Sequence, residues 1–369
     1  MNARTCRWGI LGTAGIGRKN WKAIALANNA TLVAVASRDL ASAQRFVDEC
    51  SREVPFANKP SALAGYGSLL ERSDIDVVYI PLPTAMRHEW VQRAARAGKH
   101  VMGEKPAASN ATELVEMLDA CSSNQVQFMD GVMFMHSSRL ALVRALLDDP
   151  TNVGQFTRLV SQFAFCGDAD FQANNIRVMS HLEPYGCLGD LGWYCARIFL
   201  WLMQGQMPYE VRARTLTPLQ GIGSPKSVPG QFSAELLFRN GVSASFYNSF
   251  QSEHQQWVHV SGSRGYLEIR DFVLPYRSAE LSAFVANHHF HIDNCTFHMG
   301  KHIREHTVTE YDAGAPGAQE VRMIEHMSEI ALSGRLESCW PEWSLKTQQI
   351  LDACYQSSLQ DGRAVSVNA

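Results

Sequence analysis

Two short segments of the sequence combine residue types that could do chemistry. The first is a glycine-rich loop between an apolar run and an amphipathic segment, and it consists of Gly12, Thr13, Ala14, Gly15, Ile16 and Gly17. In a strand-to-helix context, glycines let backbone amides approach a pyrophosphate at the N-terminus of the helix. Ala14 stands at the middle glycine position and adds only one methyl group. We therefore predict that residues 12–17 bind a dinucleotide.

The second segment, Gly103-Glu104-Lys105-Pro106, ends an apolar run with an acid, an amine and a proline. In a parallel sheet such a strand end lies at the edge where ligands bind. A lysine in this position is by itself more often solvated. Together with a dinucleotide-binding loop, Lys105 becomes a candidate for contact with the cofactor and the substrate.

The end of the second predicted strand, Ser37-Arg38-Asp39, bears on the choice of cofactor. An NAD site usually has a carboxylate here for the ribose hydroxyls, but Ser37 takes that place and Arg38 could pair with a 2′-phosphate. These residues favour NADP(H). The alternative is NAD(H), with Arg38 solvated and Asp39 turned inward to the ribose.

The 369 residues show two kinds of pattern along the chain. Residues 6–125 alternate short apolar runs with amphipathic segments, which is typical of βαβ units and a doubly wound parallel sheet. From about residue 151, longer runs with period-two alternation predict a largely antiparallel sheet covered on one face by a few helices. We predict an α/β protein with a Rossmann domain over 1–125, an α+β domain over 126–340, and a C-terminal helix and tail over 341–369 that packs back on the first domain.

Composition and charge argue against several classes of protein. Hydrophobic residues make up 46% of the chain and charged residues 19%, as in ordinary globular proteins. The formal net charge of −3 argues against a general nucleic-acid binder, and no apolar run approaches the ~18 residues of a membrane span. The nine cysteines form no CxxC pair and the first residues carry no secretory leader. We therefore predict a cytoplasmic protein without a nucleic-acid or membrane partner.

Several motifs together resemble those of the Gfo/Idh/MocA oxidoreductase family. They are, in order, the glycine-rich loop, YIPLP at 79–83, His88, GEKP at 103–106, NNIR at 174–177, GCLGDLGWYCAR at 186–197 and SLQDGRAVSV at 358–367. The resemblance covers nearly the whole chain. It implies a Rossmann domain followed by an open, mixed-sheet domain that binds a small-molecule substrate. It also implies a homo-oligomer formed through the sheet of this second domain.

The resemblance further implies a reaction centre made of Lys105, Asp190 and Tyr194. This set is similar to that of the tyrosine-type branch, which includes glucose-fructose oxidoreductase, xylose dehydrogenase and dimeric dihydrodiol dehydrogenase. Asp190 and Tyr194 are four residues apart, so a helix places them on one face. A free phenol titrates near ~10, and a nearby ammonium would lower that pKa. Either Tyr194 exchanges the proton with the substrate while Lys105 serves as its electrostatic partner and relay, or Lys105 is the principal base.

Other side chains are placed around the two ligands by the resemblance. Around the cofactor these are Pro81, Leu82, Pro83, His88 and Glu104. Around the substrate they are Met133, Arg177 and Trp193. Trp193 would form an apolar wall against the substrate or else belong to the core. Arg177 would bind the substrate or else form a structural salt bridge. Met135 stands where the family often has arginine, so sugar specificity does not transfer directly.

Histidines crowd the segment 288–302, where they are His288, His289, His291, His298 and His302. A metal site would need three or four of them to converge. Alternating histidines in a strand are more often solvated or interfacial. We therefore predict no metal.

Taken together, the motifs favour an NAD(P)-dependent oxidoreductase. It would transfer a hydride between nicotinamide and a secondary alcohol or carbonyl of a sugar or polyol. One alternative is a trans-dihydrodiol dehydrogenase. Another is a non-catalytic NAD(P)-binding sensor or regulator, against which the presence of Lys105, Asp190 and Tyr194 counts.

Overall fold

A computed structural model describes residues 4–367 of the chain. The first three residues of the predicted Rossmann domain and the last two of the predicted tail lie outside this part. The described chain forms a six-stranded sheet, a nine-stranded sheet and a two-stranded ribbon. No helix within residues 4–367 is long and apolar enough to cross a membrane.

The N-terminal sheet is parallel, and its strand order is β3-β2-β1-β4-β5-β6. Its strands are β1 (Cys6–Leu11), β2 (Ala30–Ser37), β3 (Ser61–Ala64), β4 (Val77–Ile80), β5 (His100–Gly103) and β6 (Phe128–Asp130). The helices between them are α1 (Ile16–Leu26), α2 (Leu40–Glu53), α3 (Tyr66–Leu70), α4 (Thr84–Arg96) and α5 (Ala111–Ser123). The central strands β1 and β4 are apolar apart from Arg7, because both of their faces are buried. The predicted Rossmann sheet is confirmed, and its order reverses at β1, which opens a crevice at the carboxyl ends of the strands.

The second sheet is mixed, with the order β16-β13-β12-β11-β7-β10-β9-β8-β17. Its strands are β7 (Phe156–Cys166), β8 (Glu210–Leu219), β9 (Val228–Leu237), β10 (Ser243–Ser249), β11 (Gln251–Gly262), β12 (Tyr266–Ile269), β13 (Glu280–Ala286), β16 (Ile303–Thr309) and β17 (Val365–Ser366), and the ribbon consists of β14 (His289–Asp293) and β15 (Thr296–Gly300). β7 and β10 run parallel, and the other described neighbours run antiparallel. This confirms the predicted open, largely antiparallel sheet.

The remaining helices are α6 (Arg139–Asp148), α7 (Ala169–Asn174), α8 (Trp193–Leu202), α9 (Gln319–Ser333) and α10 (Cys339–Ser358). Three shorter turns accompany them, a 3-10 turn at Met133–His136, another at Ile176–Val178, and a π-helical turn at Leu188–Gly192. α6, α8 and α10 pack on one face of the second sheet. Along β7, buried residues such as Leu159 and Phe163 alternate with the half-buried Arg158 and Gln162, because only one face is covered.

The structure divides the chain differently from the predicted boundaries. β6 lies beyond residue 125 but completes the first sheet. α9 lies within the segment predicted for the second domain, yet it packs on α1, β1 and β2, and Trp8 Nε1 donates to Ser328 Oγ at 2.9 Å. α10 contacts both domains, and β17 pairs with β8 of the second sheet. Amphipathic helices show which face is buried but not which neighbour buries it, so the sequence could not assign α9.

A fully buried ion pair ties the two domains together. Asp130, at the end of β6, accepts hydrogen bonds from Arg197 Nη2 at 2.6 Å and from Trp193 Nε1 at 2.8 Å, both on α8. Arg197 Nε also donates to Thr347 Oγ1 of α10 at 2.8 Å. Asp130 and Arg197 are both inaccessible to solvent. The pair therefore fixes α8 and α10 against the edge strand of the first sheet.

Because Asp130 neutralises a buried guanidinium, Asp130→Ala should lower the free energy of unfolding by about 3 to 5 kcal/mol. Urea denaturation followed by tryptophan fluorescence measures this loss. Arg212→Ala removes an ion pair whose arginine is 61% exposed and serves as the control, with an unchanged midpoint expected. A midpoint of Asp130→Ala equal to that of the control would contradict the structural role of the pair.

Candidate active site

A cleft of about 700 Å³ lies between the carboxyl edge of the first sheet and the second domain. Many residues predicted for the cofactor, the substrate and the chemistry line it, namely Ala14, Gly15, Ile16, Pro81, Leu82, Glu104, Lys105, Met133, Arg177, Asp190 and Tyr194. Residues that lie far apart in the sequence thus meet in one place. The cleft is the candidate active site.

The glycine-rich loop has the backbone geometry that phosphate binding requires. Gly12 has φ +123°, and a Cβ there would come within 3.0 Å of Leu82 Cδ2. A Cβ on Gly17 would lie 3.2 Å from Phe46 Cζ, so this glycine lets α1 pack closely on α2. No atom lies within 4 Å of a Cβ built on Gly15, which faces the cleft. The first turn of α1 has neither an acidic residue nor a capping side chain, so its amides suit the pyrophosphate of a dinucleotide.

The residues predicted to meet the ribose lie just beyond β2. Ser37 is buried and Arg38 is exposed. The Asp39 carboxylate caps α2 by accepting from Ser42 N at 2.7 Å and from Ser42 Oγ at 2.9 Å. These hydrogen bonds lower the pKa of Asp39. An inward turn of Asp39 toward a ribose would have to give up this cap.

A charge cluster at the centre of the cleft joins the two domains. Lys105 Nζ donates to Asp190 Oδ1 at 2.6 Å and to the Asp190 carbonyl at 2.8 Å. Arg177 Nε donates to the other carboxylate oxygen, Oδ2, at 2.8 Å. Burial by itself raises the pKa of Asp190, but Arg177 and Lys105 together outweigh it and hold that pKa well below its usual range. Asp190 is therefore an anion that orients two cations from different elements.

Local structure explains how these three side chains reach one another. Lys105 follows β5 directly, where the chain leaves the sheet. Arg177 lies in the 3-10 turn Ile176–Val178. Asn175 caps this turn, because its side-chain oxygen accepts a hydrogen bond from Arg177 N at 3.1 Å. Asp190 lies in the π-helical turn that precedes α8. Such π-helical insertions are frequent at functional sites because they redirect side chains that an α-helix would place elsewhere.

Tyr194 is buried beside this cluster, at the start of α8. Lys105 Nζ lies 4.7 Å from the centre of its ring. Burial raises the pKa of the Tyr194 phenol well above its ordinary value, and the Glu104 and Asp190 carboxylates raise it further. The predicted lowering of this pKa by Lys105 is therefore not found. The ammonium is already paired with Asp190 and faces the ring of Tyr194, so the phenol keeps its proton.

Glu104 and Arg87 shape the floor of the cleft. The buried Glu104 carboxylate accepts from Tyr79 OH at 2.6 Å and from Lys105 N at 3.1 Å. Arg87, on α4, donates to the carbonyls of Leu82, at 2.8 Å, and of Pro106. Arg87 thus ties the loop after β4 to the loop after β5. The sequence alone did not single it out, because a buried arginine that binds carbonyls has no motif of its own.

Two of the residues predicted to contact a ligand do not line the cleft. His88 lies on the outer side of α4, where its Nε2 is 2.6 Å from Glu116 Oε2, and it does not line the cleft. Trp193 is fully buried and its indole donates to Asp130, which agrees with the alternative that it belongs to the core. Adjacent residues of a helix point about 100° apart, so Tyr194 and Trp193 cannot both face the cleft. Pro83 caps α4 and Met135 faces a separate polar pocket.

The second domain contributes an apolar wall that the motifs did not reveal. Its residues in the cleft include Phe163, Phe165, Ile176, Leu191, Val273 and Leu274. Period-two alternation along β7 was the available signal for Phe163, but it did not show that the end of the strand reaches the cleft. Lys19 of α1 also lines the cleft, with Nζ 3.6 Å from Met133 Sδ. Burial lowers the pKa of Lys19.

The histidines of the 288–302 segment lie away from the cleft, on and beside the exposed ribbon β14–β15. Within the described residues, no group of three histidine, cysteine, aspartate or glutamate side chains is placed to hold a metal ion. The segment thus remains without a role in the cleft.

Comparison with known proteins shows to which family the chain belongs. Residues 6–132 match the oxidoreductase family model with an NAD-binding Rossmann fold, and residues 141–268 match the GFO/IDH/MocA C-terminal domain. The chain is 29% identical to D-xylose 1-dehydrogenase (NADP+) 2 of Haloferax volcanii over 366 residues, which cover 98% of this chain and 99% of that protein.

Two further relatives agree with this placement. dTDP-3,4-didehydro-2,6-dideoxy-alpha-D-glucose 3-reductase of Saccharopolyspora spinosa is 31% identical over 271 residues, covering 73% of this chain and 76% of that protein. The crystal structure of a 3-ketoreductase from Actinomadura kijaniata, in complex with NADP and TDP-benzene, superposes with a TM-score of 0.78 at 24% identity over 96% of this chain and 98% of that one. The chain therefore belongs to the Gfo/Idh/MocA oxidoreductase family, and its first domain is the NAD-binding Rossmann domain of that family.

Proposed function

We propose that the protein is an NADP-dependent enzyme that interconverts a secondary alcohol and a carbonyl group of a sugar or polyol. The observation that carries this proposal is the meeting of Lys105, Asp190 and Tyr194 at the carboxyl edge of the Rossmann sheet. Ligands of doubly wound sheets bind at this edge. A proton donor and a cation there are what the oxygen of a reacting carbonyl needs.

In the proposed mechanism, the chain handles the proton and the charge on oxygen. A bound nicotinamide supplies the hydride for reduction and takes it up in oxidation. During reduction, Tyr194 donates its phenolic proton to the carbonyl oxygen as negative charge develops there. Burial keeps the pKa of this phenol above its ordinary value, so the neutral form that carries the proton is the one present before the reaction.

Lys105 is proposed to stabilise the charges that this transfer creates. Its ammonium lies 4.7 Å from the centre of the Tyr194 ring, and it is proposed to stabilise the negative charge that develops on the oxygen of the substrate. Asp190 holds the ammonium in place and Arg177 holds the other side of Asp190. In the oxidative direction the alcohol proton passes back to the phenolate. The exchanged assignment, with Lys105 as the principal base, remains the alternative.

The substrate class is proposed from the two unlike walls of the cleft. Lys105, Asp190 and Arg177 can bind hydroxyl groups, whereas Phe163 and Phe165 offer apolar surface. A sugar or polyol ring presents both kinds of surface, with hydroxyls at its edge and C–H groups on its face. The second candidate, a trans-dihydrodiol of an aromatic ring, is favoured by the same apolar wall, since its ring has a larger apolar part.

NADP(H) is the proposed cofactor, with NAD(H) as the alternative. Arg38 is exposed beyond β2, and Asp39 is engaged in the cap of α2. A guanidinium without a neighbouring ribose-binding carboxylate suits a 2′-phosphate. The related Haloferax volcanii enzyme carries NADP+ in its name, which supports the same choice.

Two further properties are proposed, self-association and a cytoplasmic location. The uncovered face of the second sheet supports a homo-oligomer formed through that sheet. The nine cysteines are all free thiols in the structure, which fits the reducing cytoplasm. Small-molecule substrates alone are proposed as ligands besides the cofactor.

Tyr194→Phe should lower kcat by about 10²- to 10⁴-fold, because it removes the proton donor and keeps the ring. Stopped-flow or steady-state absorbance of NADPH measures the rate, and quenching of protein fluorescence measures cofactor binding, which should not change. Tyr209→Phe alters an exposed tyrosine outside the cleft and should leave both unchanged. Near-normal turnover of Tyr194→Phe would move the proton transfer to Lys105.

Arg38→Ala should weaken NADPH binding by about 10- to 100-fold, the worth of one charge-assisted contact with a phosphate. NADH binding should stay the same, because NADH has no 2′-phosphate. Nicotinamide fluorescence titrations with both cofactors measure the two constants. Arg52→Ala, in the last turn of α2, is the matched control. Tighter binding of NADH than NADPH by the unmodified protein would overturn the choice of cofactor.

Initial rates with NADP+ should be highest with aldoses or polyols and lower with trans-dihydrodiols. The reason is that three charged side chains at the centre of the cleft need several hydroxyl partners. A panel of both classes, read at the absorbance of NADPH, separates the two candidates. Faster oxidation of the dihydrodiols would make the second candidate the better one, and no turnover of either class would contradict the proposal.

A further inference from the structure

Arg87 is a buried cation that borders the cleft without a carboxylate partner. It is only 4% exposed. Its Nε donates to the Leu82 carbonyl at 2.8 Å, and its Nη1 donates to Thr84 Oγ1 at 3.2 Å and to the Pro106 carbonyl. These three acceptors are uncharged oxygens, and the guanidinium forms no ion pair with any residue of the range 4–367.

The second amino group of Arg87, Nη2, has no hydrogen-bond partner in the part of the chain that the structure describes. Because the side chain borders the cleft, the two N–H groups of Nη2 are open to a ligand. Burial lowers the pKa of Arg87, and the more distant carboxylates of Glu183 and Glu104 do not offset this effect. Charged side chains are almost never fully buried unless they are paired. The guanidinium therefore lacks the anion that its burial calls for.

The carboxylates that line the cleft are already bonded to other donors. Asp190 lies between two cations, and Glu104 accepts from a phenol and from a backbone amide. Both oxygens of Glu183 accept from Thr84, Oε1 from its backbone N at 2.9 Å and Oε2 from its Oγ1 at 2.5 Å. Each of these carboxylates would have to break such bonds before it could pair with Arg87.

A second cation of the cleft, Lys19, also forms no ion pair with a described residue, but the proposed cofactor accounts for it. Lys19 lies at the start of α1, directly after the loop 12–17, and its Nζ is 3.6 Å from Met133 Sδ. A pyrophosphate at this end of the helix would neutralise its charge. Arg87 instead reaches from α4 to the turn that follows Lys105, so the anion that it lacks belongs at the reaction centre.

We propose that Arg87 binds a carboxylate of the substrate, which is therefore a sugar acid or another polyhydroxy acid and not a neutral sugar. This inference rests on the proposed function and narrows its substrate class. Charge-assisted hydrogen bonds between a guanidinium and a carboxylate are stronger than those between neutral groups. Because Arg87 donates to the carbonyl of Pro106, next to Lys105, the carboxylate is attached within a few bonds of the reacting carbon.

The cleft distinguishes an acid from its neutral counterpart by the charge that binding leaves unpaired. A neutral sugar offers Nη2 of Arg87 only a hydroxyl oxygen, whereas a carboxylate supplies both an acceptor and the opposite charge. Arg177 lowers the pKa of Arg87 further by repulsion, and an anion bound to Arg87 would relieve this repulsion. A carboxylate brings one negative charge, which one guanidinium balances, whereas a phosphate monoester brings nearly two at neutral pH.

The first test compares acids with neutral molecules of the same carbon skeleton as substrates of the full-length protein. The pairs are D-gluconate with D-glucitol, D-glucuronate with D-glucose, D-galacturonate with D-galactose, and D-xylonate with xylitol. Initial rates with NADP+, read at the absorbance of NADPH, give kcat/KM for each compound. We expect the acid of at least one pair to exceed its counterpart by about 10- to 100-fold, the worth of a charge-assisted hydrogen bond. Equal or higher efficiency of the neutral member of every oxidised pair would overturn the proposal.

Variants of Arg87 separate recognition of the acid from support of the turn. Arg87→Gln removes the charge and should bring the ratio of the two efficiencies to about one, whereas Arg87→Lys keeps the charge and should retain part of the preference. Loss of the bonds to Leu82 and Pro106 lowers both rates of a pair alike and leaves their ratio unchanged. Arg93→Gln alters an exposed arginine of the same helix, paired with Glu89, and should keep the full ratio.

Two results with these variants would contradict the proposal. One is an undiminished ratio in Arg87→Gln. The other is a loss of NADPH affinity with an unchanged ratio, which would assign Arg87 to the cofactor. If neither variant of Arg87 folds, the ratios of the unmodified protein decide.

Binding measurements distinguish a failure of this inference from a failure of the proposed function. Isothermal titration calorimetry of the protein–NADPH complex with each acid and its neutral counterpart measures affinity without turnover. Tighter binding of the acids, lost in Arg87→Gln, together with no turnover would support the carboxylate site and contradict the proposed reaction. Oxidation of acids and neutral compounds with the same efficiency would support the reaction and overturn the carboxylate site.

Discussion

The contact between Lys105 and Asp190 is the interaction on which the site depends. Lys105 leaves the first sheet at the end of β5, and Asp190 belongs to the π-helical turn before α8 in the other domain. Their 2.6 Å bond fixes the width of the cleft at the point where the chemistry is proposed. A buried carboxylate with two cationic partners keeps its charge, whereas the loss of either partner would leave it uncompensated.

The buried pair Asp130–Arg197 holds in place the elements that carry this contact. It holds α8 against β6, and β6 is the strand next to β5. Tyr194 follows Trp193 on α8, so the bond from the indole of Trp193 to Asp130 also sets the position of the phenol. The sequence left Trp193 open between a wall for the substrate and the core, and in the structure it is buried and anchors the helix that presents Tyr194.

Local patterns predicted much of the fold and the centre of the site. The apolar runs of β1 to β6, the loop 12–17 and the GEKP turn are features of neighbouring residues. The spacing of Asp190 and Tyr194 predicted an α-helix, but Asp190 lies in a π-helical turn before α8. The structure differs from the predictions in spatial relations that spacing along the chain does not determine. His88 faces Glu116 because of the rotation of α4, and α9 covers the first sheet although it follows the second.

The pKa of Tyr194 shows most clearly why residue types alone are not enough. A lysine near a tyrosine lowers the pKa of the phenol only if its charge is directed at the phenolic oxygen. Here Asp190 takes the ammonium, and the buried phenol lies near the carboxylates of Glu104 and Asp190. The same residues that suggested an easily ionised tyrosine instead hold a neutral one. A neutral phenol retains the proton that the proposed reduction of a carbonyl requires.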